Sequence, residues 1–190
     1  MPRNEVNHLS LFLAKIALYA RYGYIRYVVR QIPEGKDLNA VDLKILRSYE
    51  VTFSRWRRGQ RKSQGLANVM YLRFGYTFIL LATEGKHEAF DKLDSLHLKY
   101  HPFIFSGYMV TIKNHKPYVQ MPKRRYIAVK RKTLEIALHN HGKVTRWLRS
   151  ISPMKFRGVN DQRWKLCKEV NRRRKAAGLT PVVWDEIKPY

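Results

Sequence analysis

The stretch Tyr76-Thr77-Phe78-Ile79-Leu80-Leu81-Ala82 limits the possible folds of this chain more than any other. It is apolar almost throughout, which suits a strand lying centrally in a sheet whose two faces are both covered. Val69-Met70-Tyr71-Leu72-Arg73-Phe74 precedes it across Gly75, so the pair reads as two strands about a tight turn. Glu84-Gly85-Lys86 ends the pattern. A chain with such a hairpin at its middle must build layers on either side of it.

The flanking periodicities suggest how. Over residues 8 to 32 the apolar positions Leu9, Leu13, Ile16, Ala20, Tyr24, Tyr27 and Val28 form one helical stripe, closed by Pro33-Glu34-Gly35. Tyr19, Tyr22, Tyr24 and Tyr27 crowd this segment and read mainly as core or interface, with base stacking the lesser reading. Asp37 or Asn39 suits the cap of a second helix running to about Tyr49, and Thr52 or Ser54 that of a third. Residues 87 to 98 read as a helix, and Phe103 to Ile112 as a strand with Gly107 a bulge. After a turn at Asn114-His115-Lys116-Pro117, return strands are expected at Tyr118 to Met121 and Tyr126 to Val129. Thr133 then suits the cap of a helix over 134 to 151, and a last helix covers 159 to 177, ending at Gly178. Pro181 to Tyr190 reads as a tail anchored by Trp184. The expected fold is α+β: a small, mainly antiparallel sheet of two hairpins separated by a helix, flanked by N-terminal and C-terminal helices. Three regions follow: helical to residue 50, basic segment and sheet core over 51–132, and helical from 133.

Charge narrows the function. The 38 Lys and Arg against 14 Asp and Glu leave a net charge of +24, and self-repulsion on that scale calls for a polyanionic partner. An anionic membrane would draw the charge onto one amphipathic face, whereas here it runs along the whole chain. The densest run is Arg55-Trp56-Arg57-Arg58-Gly59-Gln60-Arg61-Lys62, with no acid between Glu50 and Glu84. Arg dominates it, and the guanidinium fork grips phosphate at two points where Lys offers one. Trp56 adds a face for a nucleobase. Arg73 follows within the hairpin. Lys123, Arg124 and Arg125, then Lys130, Arg131 and Lys132, bracket Tyr126 to Val129 like a sheet edge touching a phosphate backbone. The same cations equally suit an edge strand guarded against aggregation. Arg172, Arg173, Arg174 and Lys175 put four cations at a helix C-terminus, more than its dipole requires. Tyr126, and with it Trp147 or Trp164, offers further stacking faces.

Signs of chemistry are sparse. Cys167 is the only cysteine, so no disulfide framework or cysteine-rich zinc site can form within the chain. His97 and His101 have helical ligand spacing, but Pro102 follows and no third ligand is near. His139-Asn140-His141 lacks a nuclease ligand pattern, and the basic regions hold no acidic cluster for two-metal chemistry. There is no G-x-x-x-x-G-K-[ST] phosphate loop. No metal, cofactor or targeting segment is expected, and the location is expected to be cytoplasmic.

Two resemblances accompany these patterns. Residues Arg55 to Arg73, Phe78 to His87 and Glu169 to Gly178 resemble a family of small basic bacterial proteins of no established activity, a likeness covering most of 33 to 185. Tyr71 to Leu81 is similar to the palm hairpin of group II intron reverse transcriptases. Where that family carries two metal-binding aspartates, this chain has Gly75, Tyr76 and Thr77, so the resemblance implies a palm-like hairpin without polymerisation. The expected function is non-catalytic binding of nucleic acid, RNA or single strands rather than duplex DNA, as part of a ribonucleoprotein or mobile element. The alternatives are a nuclease or strand transferase, and a structural protein that meets an acidic protein.

Overall fold

The hairpin at 69–82 forms as its sequence suggests. The computed structural model describes residues 5–188, in which β2 (Val69–Phe74) and β3 (Thr77–Ala82) pair antiparallel. Gly75, at φ 57°, supplies the left-handed backbone that a two-residue hairpin loop needs at its first position. A further strand, β1 (Arg26–Gln31), lies antiparallel along the other edge of β3, with Val28 opposite Leu80. The short β4 (Leu96–His97) completes a four-stranded sheet of order β2-β3-β1-β4. β3 therefore has neighbours on both sides. Both its faces are also covered, which is why it tolerates no alternation. On one face Val28, Val69, Tyr71 and Leu80 pack with Ile45, Val51 and Phe90. On the other, Phe12 of α1 (Leu9–Arg21) meets Phe74 with ring centroids 5.6 Å apart.

The expected helix over 8–32 is corrected here. α1 stops at Arg21, Gly23 turns at φ 90°, and the Tyr24 amide donates to the Tyr19 carbonyl in a left-handed helix termination. Tyr24, Tyr27 and Val28 continue the helical period, but the helix ends before them at the Gly23 turn and residues 26–31 pair with the open edge of β3. The region before residue 50 is thus not wholly helical. Asp37 caps α2 (Leu38–Ser48), accepting from the Asn39 amide, and Ser54 caps α3 (Arg55–Ser63), accepting from Arg57. Residues 87 to 98 supply only α4 (Glu88–Asp91) before β4 begins.

The strand expected over Phe103 to Ile112 is two strands. β5 (Phe103–Phe105) turns at Ser106 (φ 45°) and Gly107 (φ 77°) into β6 (Tyr108–Lys113), so Gly107 is a hairpin residue, not a bulge. Asn114 and His115, both at positive φ, lead into β7 (Lys116–Gln120), giving a second sheet of order β5-β6-β7. The chain forms two compact units, and the boundary runs through this meander. One holds the residues up to Phe103 with Val110–Pro117; the other holds Ile104–Met109 with the chain from Tyr118 onward.

In the second unit the strand expected at Tyr126 to Val129 is part of a helix, α5 (Lys123–Glu135). Pro122 starts it, and Lys, Arg and Ala are strong helix formers. Tyr126 and Val129 face its core, and Thr133, buried within α5, donates to the Val129 carbonyl and accepts from Trp147 Nε1. Thr133 is therefore no cap; Asn140 caps α6 (His141–Ser150). α7 (Arg157–Ala176) ends as anticipated, with Gly178 at φ 68°, and α8 (Trp184–Ile187) brings Trp184 against Leu148, Leu166 and Ile187. Among the described residues there are eight helices and two sheets, of four and three strands. That overturns a single sheet of two hairpins flanked only by terminal helices: among the described residues helices are interleaved with strands up to β7, and four helices follow it.

Candidate nucleic-acid interface

The basic run is a helix in its own right. α3 has no buried residue, so it owes little to a hydrophobic face. Side chains on its inner side tether it. Arg61 donates to Glu50 (2.9 Å) and to the Ala67 carbonyl, and Arg57 lies over the Phe53 ring at 4.0 Å. Arg58 reaches Met70 Sδ, and its carbonyl accepts from Asn68 Nδ2 (3.0 Å). Arg61 and Lys62 in the last turn suit the helix dipole, whereas Arg55 and Arg57 at the opposite end meet its positive pole with no acid to offset them. Cations there are unfavourable unless an anion joins them.

Beside α3 the first unit has a cavity of about 620 Å³. One wall is Tyr19 and Tyr22 at the end of α1, with Tyr24 beyond the turn. Arg55, Arg58, Gly59 and Lys62 of α3 also line the cavity, with Asn68, Met70 and Thr83. Among the described residues no Asp or Glu lines it. Burial and the adjacent Tyr24 push the Tyr19 hydroxyl up, against the pull of the Arg58 guanidinium. Tyr22 is largely exposed, its ring available to a planar partner. Cations and aromatic faces thus share one concave surface of ligand-site size.

Gly59 sits mid-helix in this lining, and a Cβ there would meet nothing within 4 Å. Gly59→Ala should therefore raise the stability of the first unit by about 0.5–1 kcal/mol, seen as a later thermal transition. A fall would mean that the helix needs the glycine.

The other expected contact residues divide. Trp56 is 75% exposed on α3. Arg73 is not a surface residue at all: it is 2% exposed and paired to Asp42 of α2. Lys123, Arg124, Arg131 and Lys175 are exposed on α5 and α7. Arg125 donates to the Gly107 carbonyl (2.7 Å), Lys130 meets Glu169, and Lys132 meets Glu135. Tyr126 is half-buried against the core. Arg172 pairs with Glu169, and Arg173 reaches the Leu134 carbonyl. Arg174 is buried and donates to the carbonyls of Thr180, Ala137 and His139, so its charge serves the fold. The structure thus withdraws Arg73 and Arg174 from the interface, because neither guanidinium is accessible to a phosphate. Lys132 also lines a cavity of about 490 Å³ with Lys143, Arg146 and Trp147.

Sequence reasoning missed Asn68, Met70 and Thr83, and read Tyr19, Tyr22 and Tyr24 chiefly as core. The only signal was the density of tyrosines before Gly23. Of the histidine pairs, His97 Nδ1 accepts from the Lys99 amide, and His141 Nε2 lies 2.8 Å from Glu186. Among the described residues no group of three or more His, Cys, Asp or Glu could hold a metal, and no described helix is long and apolar enough to cross a membrane. No family model matches the chain, and no curated protein matches it.

Proposed function

We propose that this protein binds RNA or another unpaired nucleic-acid strand without cleaving it, as a component of a ribonucleoprotein or mobile element. The observation that carries the reading is the cavity beside α3, where Arg55, Arg58 and Lys62 share the lining with Tyr19 and Tyr22 and no carboxylate joins them. Cations alone would suit any polyanion, an acidic protein included. Aromatic faces beside them favour bases that are free to stack, hence single strands. The exposed cations of α5 and α7 supply further phosphate contacts on the second unit.

Phosphodiester cleavage has weaker support. A separate cavity in the first unit brings Glu50 Oε2 to 3.9 Å from His87 Nε2, beside Arg61 and Lys86. His87 Nδ1, however, accepts from the Phe90 amide, so its lone pair is engaged within α4. A ring so wired has one nitrogen fewer with which to take a proton from an attacking group.

Fluorescence anisotropy with a labelled single-stranded RNA and its duplex, across 50–300 mM salt, tests the proposal. The single strand should bind more tightly, and Tyr22→Ala should cost it about 1–3 kcal/mol while sparing the duplex. Equal affinity for both forms and no effect of Tyr22→Ala would reduce the interaction to bulk charge.

A further inference from the structure

Among the described residues lining the tyrosine-walled cavity, Asn68 alone has a buried side-chain polar atom without a hydrogen-bond partner. It precedes β2 and is 6% exposed. Its amide donates to Thr83 Oγ1 (3.0 Å), its carbonyl accepts from the Thr83 amide (3.0 Å), and its Nδ2 donates to the Arg58 carbonyl (3.0 Å). Only an NH₂ group can serve that last carbonyl, so the orientation of the side-chain amide is set. Its Oδ1 is left buried and without a donor among the described residues. A buried amide oxygen with no partner is costly, and the bond from Nδ2 to the Arg58 carbonyl gives Oδ1 no donor.

The geometry points to Asn68 Oδ1 as the acceptor for a base edge: the cavity takes one unpaired nucleotide and prefers a base that carries an exocyclic amino group. This rests on the nucleic-acid reading above. One N–H of the amide is held by the Arg58 carbonyl, and Oδ1 is the acceptor left for a ligand. Adenine, cytosine and guanine present an amino N–H at the edge. Uracil and thymine present a single N–H recessed between two carbonyl oxygens, which Oδ1 repels. With the ring between Tyr19 and Tyr22 and its phosphate on Arg55 or Lys62, the amino group would complete the set of bonds around Asn68.

The cleanest test deletes the group from the ligand. Wild-type protein is titrated with short labelled single strands identical except at one central base, adenine against purine, and cytosine against uracil. The amino-bearing member of each pair should bind about threefold to tenfold more tightly. Asn68→Ala should erase that ratio, bringing the adenine strand level with the purine strand and the cytosine strand level with the uracil strand. Should Asn68→Ala fail to fold, the ligand pairs still decide the matter on wild-type protein. Binding of all four strands with equal affinity overturns the role of Asn68 and leaves single-strand binding standing. Binding of none at 50 mM salt overturns the nucleic-acid reading itself.

Discussion

Asp42→Ala is expected to cost the first unit about 3–5 kcal/mol and to leave it largely unfolded well below its normal melting temperature. Asp42 is fully buried in α2. Its Oδ1 accepts from Arg73 Nε (2.9 Å) and the Tyr71 hydroxyl, and its Oδ2 from Arg73 Nη2 (3.1 Å). Burial, then the bond to Asp42, push the Tyr71 hydroxyl well above the usual phenol range, so it stays a donor. Without the carboxylate, a guanidinium 2% exposed would keep only the Gly75 carbonyl and the half-exposed Glu5, 3.3 Å away, while the Tyr71 hydroxyl lost its acceptor. Removing one member of a buried pair costs more than the pair contributes, because the survivor stays charged and unsolvated. The double variant Asp42→Leu with Arg73→Met should therefore regain most of the loss. Thermal melts followed by far-ultraviolet circular dichroism check both, with a fall of at least about 12 °C expected for the single variant. A single variant melting within a degree of wild type would show that the network carries no weight.

Replacing Arg55, Arg58 and Lys62 together by Ala is expected to weaken single-stranded RNA binding roughly a hundredfold near 0.1 M salt and to flatten the log–log salt slope by about 2. The arithmetic is that of counterion release, close to 0.7 in slope for each phosphate neutralised on a single strand. The fold should survive, because Ala is the best helix former and the Arg58 backbone carbonyl still receives Asn68 Nδ2. Arg57, whose guanidinium is spent on the Phe53 ring, should contribute less than its neighbours. The matched comparison is Lys123→Ala, Arg124→Ala and Arg131→Ala on α5, equal in charge removed. If that set removes as much slope as the α3 set, the cavity is no more than one patch of a diffuse basic surface. If the α3 set leaves the slope untouched, the cavity does not hold the strand.

Several elements were legible because their signals are local. The apolar run at 77–82 could only be an inner strand, Ser54 marked the start of α3, and Gly178 marked the end of α7. The positive-φ pair Asn114 and His115 fell where turn chemistry placed a reversal. Others failed for want of length. Four residues, Tyr126 to Val129, are too few to separate a period of 2 from 3.6, and the helix formers on either side settled the matter for α5.

By itself, then, the sequence determined the amount of positive charge and the central hairpin, since each is a property of neighbours along the chain. Only the tertiary structure decided that residues 26–31 pair with β3, that Arg73 and Arg174 are consumed inside the fold, and that Tyr19, Tyr22 and Asn68 meet α3 around one cavity. Those outcomes join residues far apart in sequence, and an arginine bound to carbonyls inside the fold has the same letter as one free to grip a phosphate. Which it becomes depends on what packs above it.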